Sequence, residues 1–286
     1  MSKSLILKFS CKDQPGIVSA VATFFYKQGF NIEESFQHED AQTGHFFMVT
    51  MFKAIPGYTI NENKLHARFA EIADRYAMTW EIRDKEVKLK ILIAVSKWGH
   101  CLNHLLNTWK NGSLFVDIVG VVSNHEDMRS MVEWYGLPYS YLPVSKENKA
   151  EQEAKILQEM NDKNADCLIL ARYMQILSNQ LCDKLEGRAI NIHHSFLPGF
   201  KGAKPYHQAH ERGVKLIGAT AHFVTSDLDE GPIIEQEVER VSHECTPEEM
   251  VEIGRDIEAI VLSRAVRLHA GGRILLNGNK TVVFSR

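Results

Sequence analysis

The chain has 286 residues, of which 44% are hydrophobic and 24% charged, and its formal net charge is -3 at pH 7. This composition is typical of an ordinary globular protein and excludes a disordered or fibrous chain, while the charge gives no electrostatic reason to expect nucleic acid as a partner. No uninterrupted apolar stretch approaches the roughly 20 residues that a membrane span needs. We therefore expect two domains of unequal size and a small-molecule ligand.

The N-terminal apolar run LILKF is far shorter than the core of a signal peptide and is soon followed by charge. The five cysteines are scattered and form no CxxC pair, which favours reduced thiols over a disulfide framework. Together these features predict a cytoplasmic protein.

Residues 1 to 84 alternate strand-like and helical patterns. After the first apolar strand, the sequence predicts a helix over 15–28, two strands around the turn signal Gln42-Thr43-Gly44, a helix over 62–76 and a strand over 79–82. The order βαββαβ predicts a ferredoxin-like domain. The charged stretch Arg83-Asp84-Lys85-Glu86 interrupts the apolar periodicity, so we place a linker there and divide the chain into domains 1–84 and 85–286.

From Val87 onward the pattern changes to apolar runs of strand length, namely VKLKILIAV, SLFVDIVGVV and DCLILA, separated by helical stretches. Strands that are apolar on both faces indicate a mostly parallel, Rossmann-like sheet in an α/β fold. In such sheets the ligand lies at the carboxyl ends of the strands, where the strand order reverses.

Polar groups follow the short predicted strand Arg188-Ala189-Ile190. If the chain stays extended, alternation sends Asn191 and His193 to the same side. A third group, Asp229, lies in an acidic turn marked by Gly231-Pro232 between two strand-like segments. An amide donor, an imidazole and a carboxylate suit acyl chemistry, which needs a stabilised oxyanion, a protonated leaving group and an activated attacker. The plainer alternative is that these are turn, capping and solvated surface residues.

The runs NIHHSFLP at 191–198 and HFVTSDLDEGPII at 222–234 resemble the active-site motifs of folate-dependent formyltransferases. The resemblance implies that Asn191, His193 and Asp229 are catalytic, and it leaves open whether Asp229 or His193 is the general base. The run LARYMQILS at 170–178 looks like the pterin-binding loop of the same family. It implies a folate pocket formed by Tyr173, Met174, Gln175, Ile176 and Leu177, although apolar residues after a buried strand are usually core.

Transferases of this family commonly carry Pro after the catalytic His, whereas this chain has His194, followed by a run that ends in Lys204-Pro205-Tyr206. This arrangement resembles the formyltetrahydrofolate deformylases. The resemblance implies hydrolysis of 10-formyltetrahydrofolate to formate and tetrahydrofolate without a cofactor, which supplies formate for purine synthesis and balances one-carbon pools. His194, Lys204 and Tyr206 would then occupy the place of an amine acceptor. The alternative is a formyltransferase that acts on an amine.

Asp13-Gln14-Pro15-Gly16-Ile17 lies between the first strand and the first helix, where helix-start N–H groups can receive a carboxylate. With the βαββαβ order and Asn31 after the helix, the segment resembles an ACT domain. The resemblance implies a homo-oligomer and an amino-acid effector such as glycine or methionine, held near Asp13, Gly16, Ile17 and Asn31. ACT domains also serve assembly alone.

The sequence offers little support for a metalloenzyme, a nucleotide-binding protein or an amino-acid sensor. His193, His194, His207 and His210 are close in sequence, but no HExxH occurs and we expect no metal. Neither GxxxxGK[ST] nor GxGxxG is present, so no nucleotide cofactor is indicated. An amino-acid sensor that binds folate without turnover would not need Asn191, His193 and Asp229 together.

Lys97, Lys201 and Lys204 are candidates for binding the glutamate tail of a folate.

Overall fold

The computed structural model describes residues 3–58, 60–197 and 205–285. Its elements in chain order are β1 (Ser4–Lys12), α1 (Ile17–Lys27), β2 (Phe30–Asp40), β3 (His45–Ala54), α2 (Glu62–Arg75), β4 (Thr79–Asp84), β5 (Leu89–Val95), α3 (His100–Lys110), β6 (Val116–Ser123), α4 (Arg129–Trp134), β7 (Tyr139–Tyr141), α5 (Lys149–Asp162), β8 (Cys167–Leu170), α6 (Asn179–Lys184), β9 (Ala189–His193), α7 (Pro205–Glu211), β10 (Leu216–Phe223), β11 (Ile233–Arg240), α8 (Pro247–Ala270), β12 (Ile274–Asn277) and β13 (Lys280–Val283). Among these residues no helix combines the length and hydropathy that crossing a bilayer requires.

The chain divides into two compact units. One comprises residues 1–88, 271–277 and 282–286, and the other 89–270 and 278–281. The sequence placed the boundary near Lys85 and all of the C-terminal end in the second domain. Arg83 and Asp84, expected in a linker, instead end strand β4, where Asp84 accepts a salt bridge from Lys3 at 2.9 Å. Because β4 is an edge strand, its terminal charged side chains are compatible with sheet structure.

The first unit contains an antiparallel sheet with the order β2-β3-β1-β4 and confirms the predicted βαββαβ arrangement. Helices α1 and α2 contribute to the core on one face, where Phe9, Phe25 and Phe69 are almost fully buried. A second cluster joins Ile6 and Val49 of the sheet to Leu275 and Phe284 from the C-terminal end. Both ends of the chain therefore build this unit.

The second unit contains a seven-stranded sheet with the order β11-β10-β9-β8-β5-β6-β7. Strands β5 to β9 are parallel, and β10 and β11 are added antiparallel, which confirms the predicted mostly parallel, Rossmann-like sheet. Residues 91–95 of β5 are fully buried, as a strand covered on both faces requires. The strand order reverses at β5, so the loops after β5 and β8 leave the sheet side by side.

Candidate active site

Strand β9 continues through His193, so Asn191 and His193 lie on the strand itself and not in a loop after it. Antiparallel pairing with β10 places Asn191 directly opposite His222, and His193 opposite Thr220. Side chains at opposite positions of such a pair are close neighbours. Accordingly, Nδ2 of Asn191 lies 3.3 Å from Nε2 of His222.

The turn after β10 brings Asp229 to the same place. Oδ1 of Asp229 lies 3.1 Å from Nδ1 of His193 and 3.9 Å from Nε2 of His222. Asp229 has φ 58°, a left-handed conformation that Asp tolerates better than most residues. Gly231 is required beside it, because a Cβ there would lie 1.8 Å from the carbonyl oxygen of Phe223. The acidic turn can therefore pack closely against β10.

Hydrogen bonds indicate the protonation of this group. Burial lowers the pKa of His222, and its Nδ1, 2.8 Å from the carbonyl of Phe223, donates to that oxygen. Nε2 of the neutral ring then accepts from Asn191. Burial opposes the ionisation of Asp229, but the hydrogen bond from His193, together with the favourable electrostatics of that ring, outweighs it, so the pKa of Asp229 is lowered. The site therefore holds an ionised Asp229 carboxylate that is hydrogen-bonded to the imidazole of His193.

A cavity of about 360 Å³ opens onto these groups. Its walls include Asn191, His193 and Asp229, and all five residues from Tyr173 to Leu177 that the sequence assigned to a folate pocket. Tyr173 and Leu177 are buried, whereas Met174 and Ile176 are 54% and 62% exposed. The structure thus brings the predicted catalytic and folate-binding residues to one cavity.

The segment from Arg172 to Leu177 is held in place by the loop after β5. The backbone N–H of Met174 donates to Oγ of Ser96 at 2.9 Å, and the N–H of Ser96 donates to the carbonyl of Arg172 at 3.2 Å. Oγ of Ser96 in turn donates to Asn124 at 2.6 Å. This part of the cavity wall is therefore fixed at the point where the strand order reverses.

His194 also lines the cavity, and its ring stacks on that of His193 with 4.7 Å between centroids. Burial, together with the charges of Arg172 and His193, lowers the pKa of His194 to about 4. Sequence reasoning gave no role to Arg172 or His222, which both line the cavity. Two signals were available. Arg172 is a cation that follows a buried strand at the switch point, and His222 is a histidine opposite Asn191.

Those of the other predicted site residues that the structure describes do not line this cavity. Tyr206 does not line this cavity; it is buried and donates to Oε1 of Glu258 at 2.9 Å. Lys201 and Lys204 lie outside the described residues, and Lys97 is exposed. In the first unit, Gly16 precedes α1 with φ 96°, and Ile17 is part of the core. Asp13 and Asn31 are exposed.

Within the described ranges, His100, Cys101 and Glu258 form a group whose candidate metal-ligand atoms lie within 4.8 Å of one another. The carboxylate of Glu258 already accepts from Tyr206, and it lies 2.7 Å from Nε2 of His100 and 3.4 Å from Nε of Arg172. A guanidinium at that distance repels a metal cation. Burial and Glu258 also raise the pKa of the Cys101 thiol, which disfavours the thiolate that metals bind.

Comparison with known proteins accounts for both units. Residues 89–266 match the family model described as formyl transferase, and residues 5–57 match the ACT domain. A formyltetrahydrofolate deformylase from Corynebacterium sp. (strain P-1) is 47% identical over 279 residues, which are 98% of this chain and 97% of the relative. A relative of the same name from Bacillus subtilis (strain 168) is also 47% identical, over 98% of this chain and 93% of its own length.

Solved structures show the same likeness. A formyltetrahydrofolate deformylase from Burkholderia mallei superposes with a TM-score of 0.95 at 49% identity and covers 99% of this chain and 100% of its own. A glycinamide ribonucleotide transformylase from Symbiobacterium toebii reaches a TM-score of 0.65 at 27% identity, over 69% of this chain and 95% of its own. With a formyl transferase domain, an ACT domain and near-complete matches to deformylases, the chain belongs to the formyltetrahydrofolate deformylase family.

Proposed function

We propose that the protein hydrolyses 10-formyltetrahydrofolate to formate and tetrahydrofolate. The observation that carries the proposal is the arrangement of His193: Nδ1 contacts Asp229, while Nε2 is buried and has no hydrogen-bond partner among the described residues. His193, Asp229 and Asn191 line one cavity. An imidazole oriented by a carboxylate through one nitrogen has its other nitrogen available for proton transfer.

In the proposed reaction His193 is the general base and Asp229 orients it. Nδ1–H is donated to Asp229, so Nε2 of the neutral ring takes a proton from water as the water oxygen bonds to the formyl carbon. The carbonyl oxygen becomes an oxyanion, which the side-chain N–H of Asn191 stabilises. When the C–N bond breaks, the proton on His193 passes to N10 of the folate. Formic acid and tetrahydrofolate leave, the acid loses its proton to solvent to become formate, and His193 is neutral again.

The segment from Tyr173 to Leu177 is proposed to bind the pterin ring. Its exposed apolar side chains, Met174 and Ile176, offer the kind of surface that a flat heterocycle covers, and nearby backbone groups fix its orientation. The transformylase likeness covers about two thirds of the chain, whereas the deformylases match it nearly end to end. That difference favours water over an amine as the acceptor.

The test incubates purified protein with 10-formyltetrahydrofolate alone and measures formate and tetrahydrofolate together. We expect equal amounts of both, and a loss of about 10³-fold or more in kcat for Asp229→Asn, in which the orienting carboxylate is removed with little change of shape. A parallel reaction contains glycinamide ribonucleotide. Product formation that strictly requires this amine would contradict hydrolysis and support a transferase.

The reaction as proposed needs no cofactor, because hydrolysis moves no electrons and the three side chains supply the proton transfers and the oxyanion donor. Unchanged kcat after exhaustive dialysis against a chelator would support this; loss of activity that zinc restores would contradict it. We further propose a cytoplasmic location, consistent with five free cysteines.

The ACT domain supports two further proposals, a homo-oligomer and regulation by an amino acid such as glycine or methionine. Gly16 at the start of α1 leaves backbone N–H groups that can receive a carboxylate. Calorimetric titration of the full chain with each amino acid tests the effector, with Asn31→Ala as the variant. Light scattering tests assembly, and a mass equal to one chain would contradict the oligomer.

A further inference from the structure

Besides Nε2 of His193, which the proposed reaction uses as its base, two residues that line the cavity have buried nitrogens with no role in that reaction. Nε2 of His193, Nε2 of His194 and Nε of Arg172 are all buried, and none has a hydrogen-bond partner among the described residues. All three residues line the cavity. Buried polar atoms are almost always bonded, so the two unpartnered histidine nitrogens at this one cavity indicate a polar ligand.

The backbone of Arg172, in the wall of this cavity, has a strained conformation. Its φ is 64°, a left-handed conformation that non-glycine residues rarely adopt and that persists only where the surroundings enforce it. Its side chain is 14% exposed, and its Nε lies 3.4 Å from Oε2 of Glu258, whose side chain is 2% exposed. A strained, nearly buried cation beside catalytic groups is more typical of function than of packing.

Glu258 holds this arrangement. Besides Arg172, its carboxylate lies 2.7 Å from Nε2 of His100 and accepts from the hydroxyl of Tyr206 at 2.9 Å. Tyr206 reaches it by crossing helix α8 at Gly254, where a Cβ would lie 2.1 Å from the tyrosine hydroxyl. Burial opposes the charge on Glu258, but His100 and Arg172 outweigh this and lower its pKa. The pair of Arg172 and Glu258 is thus charged and fixed.

Arg172 acts electrostatically on His194, whose ring stacks on that of the proposed base His193. The charged and titratable groups that act on His194 are Arg172, His193, Glu258 and Asp229, and burial and Arg172 are the two largest influences against its protonation. A neutral His194 has a nitrogen lone pair to offer, and its ring stacks on that of His193 at the same cavity. A water that donates one hydrogen to each ring points its own lone pairs away from both.

We propose that Nε2 of His194 binds the attacking water together with Nε2 of His193, and that Arg172, held by Glu258, is the positioning residue that maintains His194 as an acceptor. This inference rests on the proposed hydrolysis and assigns the nucleophile a place within it. The water gives its first hydrogen to His193 as its oxygen bonds to the formyl carbon. Its second hydrogen stays on the new hydroxyl group, directed to His194.

The first experiment compares His194→Phe with His194→Gln. Phenylalanine keeps a flat ring against His193 but accepts no hydrogen bond, whereas the glutamine amide oxygen does. We expect His194→Phe to lower kcat by about 10- to 100-fold while KM changes by less than about threefold, and His194→Gln to retain more activity. Wild-type kcat in His194→Phe, or equal losses in both variants, would overturn the proposal.

The second experiment tests whether Arg172 acts through His194. Protein labelled with ¹³C at histidine Cε1 is titrated by NMR, and His194 is assigned by its missing signal in His194→Gln. Removing a neighbouring cation favours the protonated ring, so Arg172→Met should raise the pKa of His194 by at least about one unit. The matched control, Arg264→Met, removes a surface cation that pairs with Glu237 and should leave it unchanged. An unchanged pKa in Arg172→Met would contradict the role of Arg172.

The third experiment measures kcat for single and double variants of Arg172 and His194. If Arg172 acts through His194, Arg172→Met lowers kcat in the wild-type background but adds little to the loss in His194→Phe. Full additivity would overturn the positioning role. A wild-type protein that releases no formate would refute the proposed hydrolysis itself, whereas an active wild type with an equally active His194→Phe would refute this inference alone.

Discussion

Asn191 and His222 face each other across strands β9 and β10, with 3.3 Å between Nδ2 of the amide and Nε2 of the ring. The ring is itself fixed, since its Nδ1 donates to the carbonyl of Phe223. One N–H of Asn191 is therefore held by His222, which aims the amide and leaves its second N–H available to an oxyanion.

This relationship predicts that His222→Phe lowers kcat by about tenfold or more with little change in KM, because the amide loses its orientation. Asn191→Ala should cost about 10²- to 10³-fold. The kcat of the double variant should be close to that of Asn191→Ala alone, since both changes remove the same function, the oriented amide of Asn191. Steady-state kinetics of the three variants would check this, and additive losses would contradict it.

The exposed apolar residues of the pterin segment predict a separate effect on binding. Ile176→Ser should raise KM about tenfold and leave kcat within about twofold, because it removes apolar contact area from substrate and transition state alike. The control is Leu216→Ser, which changes an apolar side chain of similar exposure, 50% against 62%, at a position that does not line the cavity. Equal changes in both variants would indicate a nonspecific effect.

The lowered pKa of Asp229 predicts a change of stability with pH. An acid with a lower pKa in the folded state stabilises the fold above its unfolded-state pKa of about 3.9, and this contribution disappears as pH falls through the folded-state value. Wild type should exceed Asp229→Asn in free energy of unfolding at pH 6, and the difference should shrink below about pH 4. Urea unfolding across this range measures it, and a difference that is independent of pH would contradict the assignment.

Burial predicts a large difference between two glutamates. Glu258→Gln leaves the cation of Arg172 without its counter-charge in a buried place, and we expect the free energy of unfolding to fall by about 3 kcal/mol or more. Glu237→Gln removes a partner of Arg264 in a pair whose side chains are 46% and 43% exposed, so its effect should stay below about 1 kcal/mol. Denaturant titrations of both variants measure these two losses in the free energy of unfolding.

Sequence patterns predicted those features that depend on local order. Helical spacing and strand-length apolar runs were enough for the βαββαβ unit and for the parallel strands, and the extended register put Asn191 and His193 on one side. The interaction of Arg172 with Glu258 was out of reach, because helix α8 comes far later in the chain and its facing residues depend on how it packs on the sheet. The extent of β9 was also missed, because polar residues on a strand look like the start of a loop.

The C-terminal hairpin was missed for the same physical reason, since its partners lie at the other end of the chain. Ile6, Val49 and Met51 form an apolar surface that Leu275 and Phe284 cover. During synthesis, this surface has no such cover until residues 274–284 leave the ribosome, long after the rest of the sheet has emerged. The first unit to be translated is therefore among the last to be completed, and a fragment ending at residue 84 should aggregate where the full chain does not.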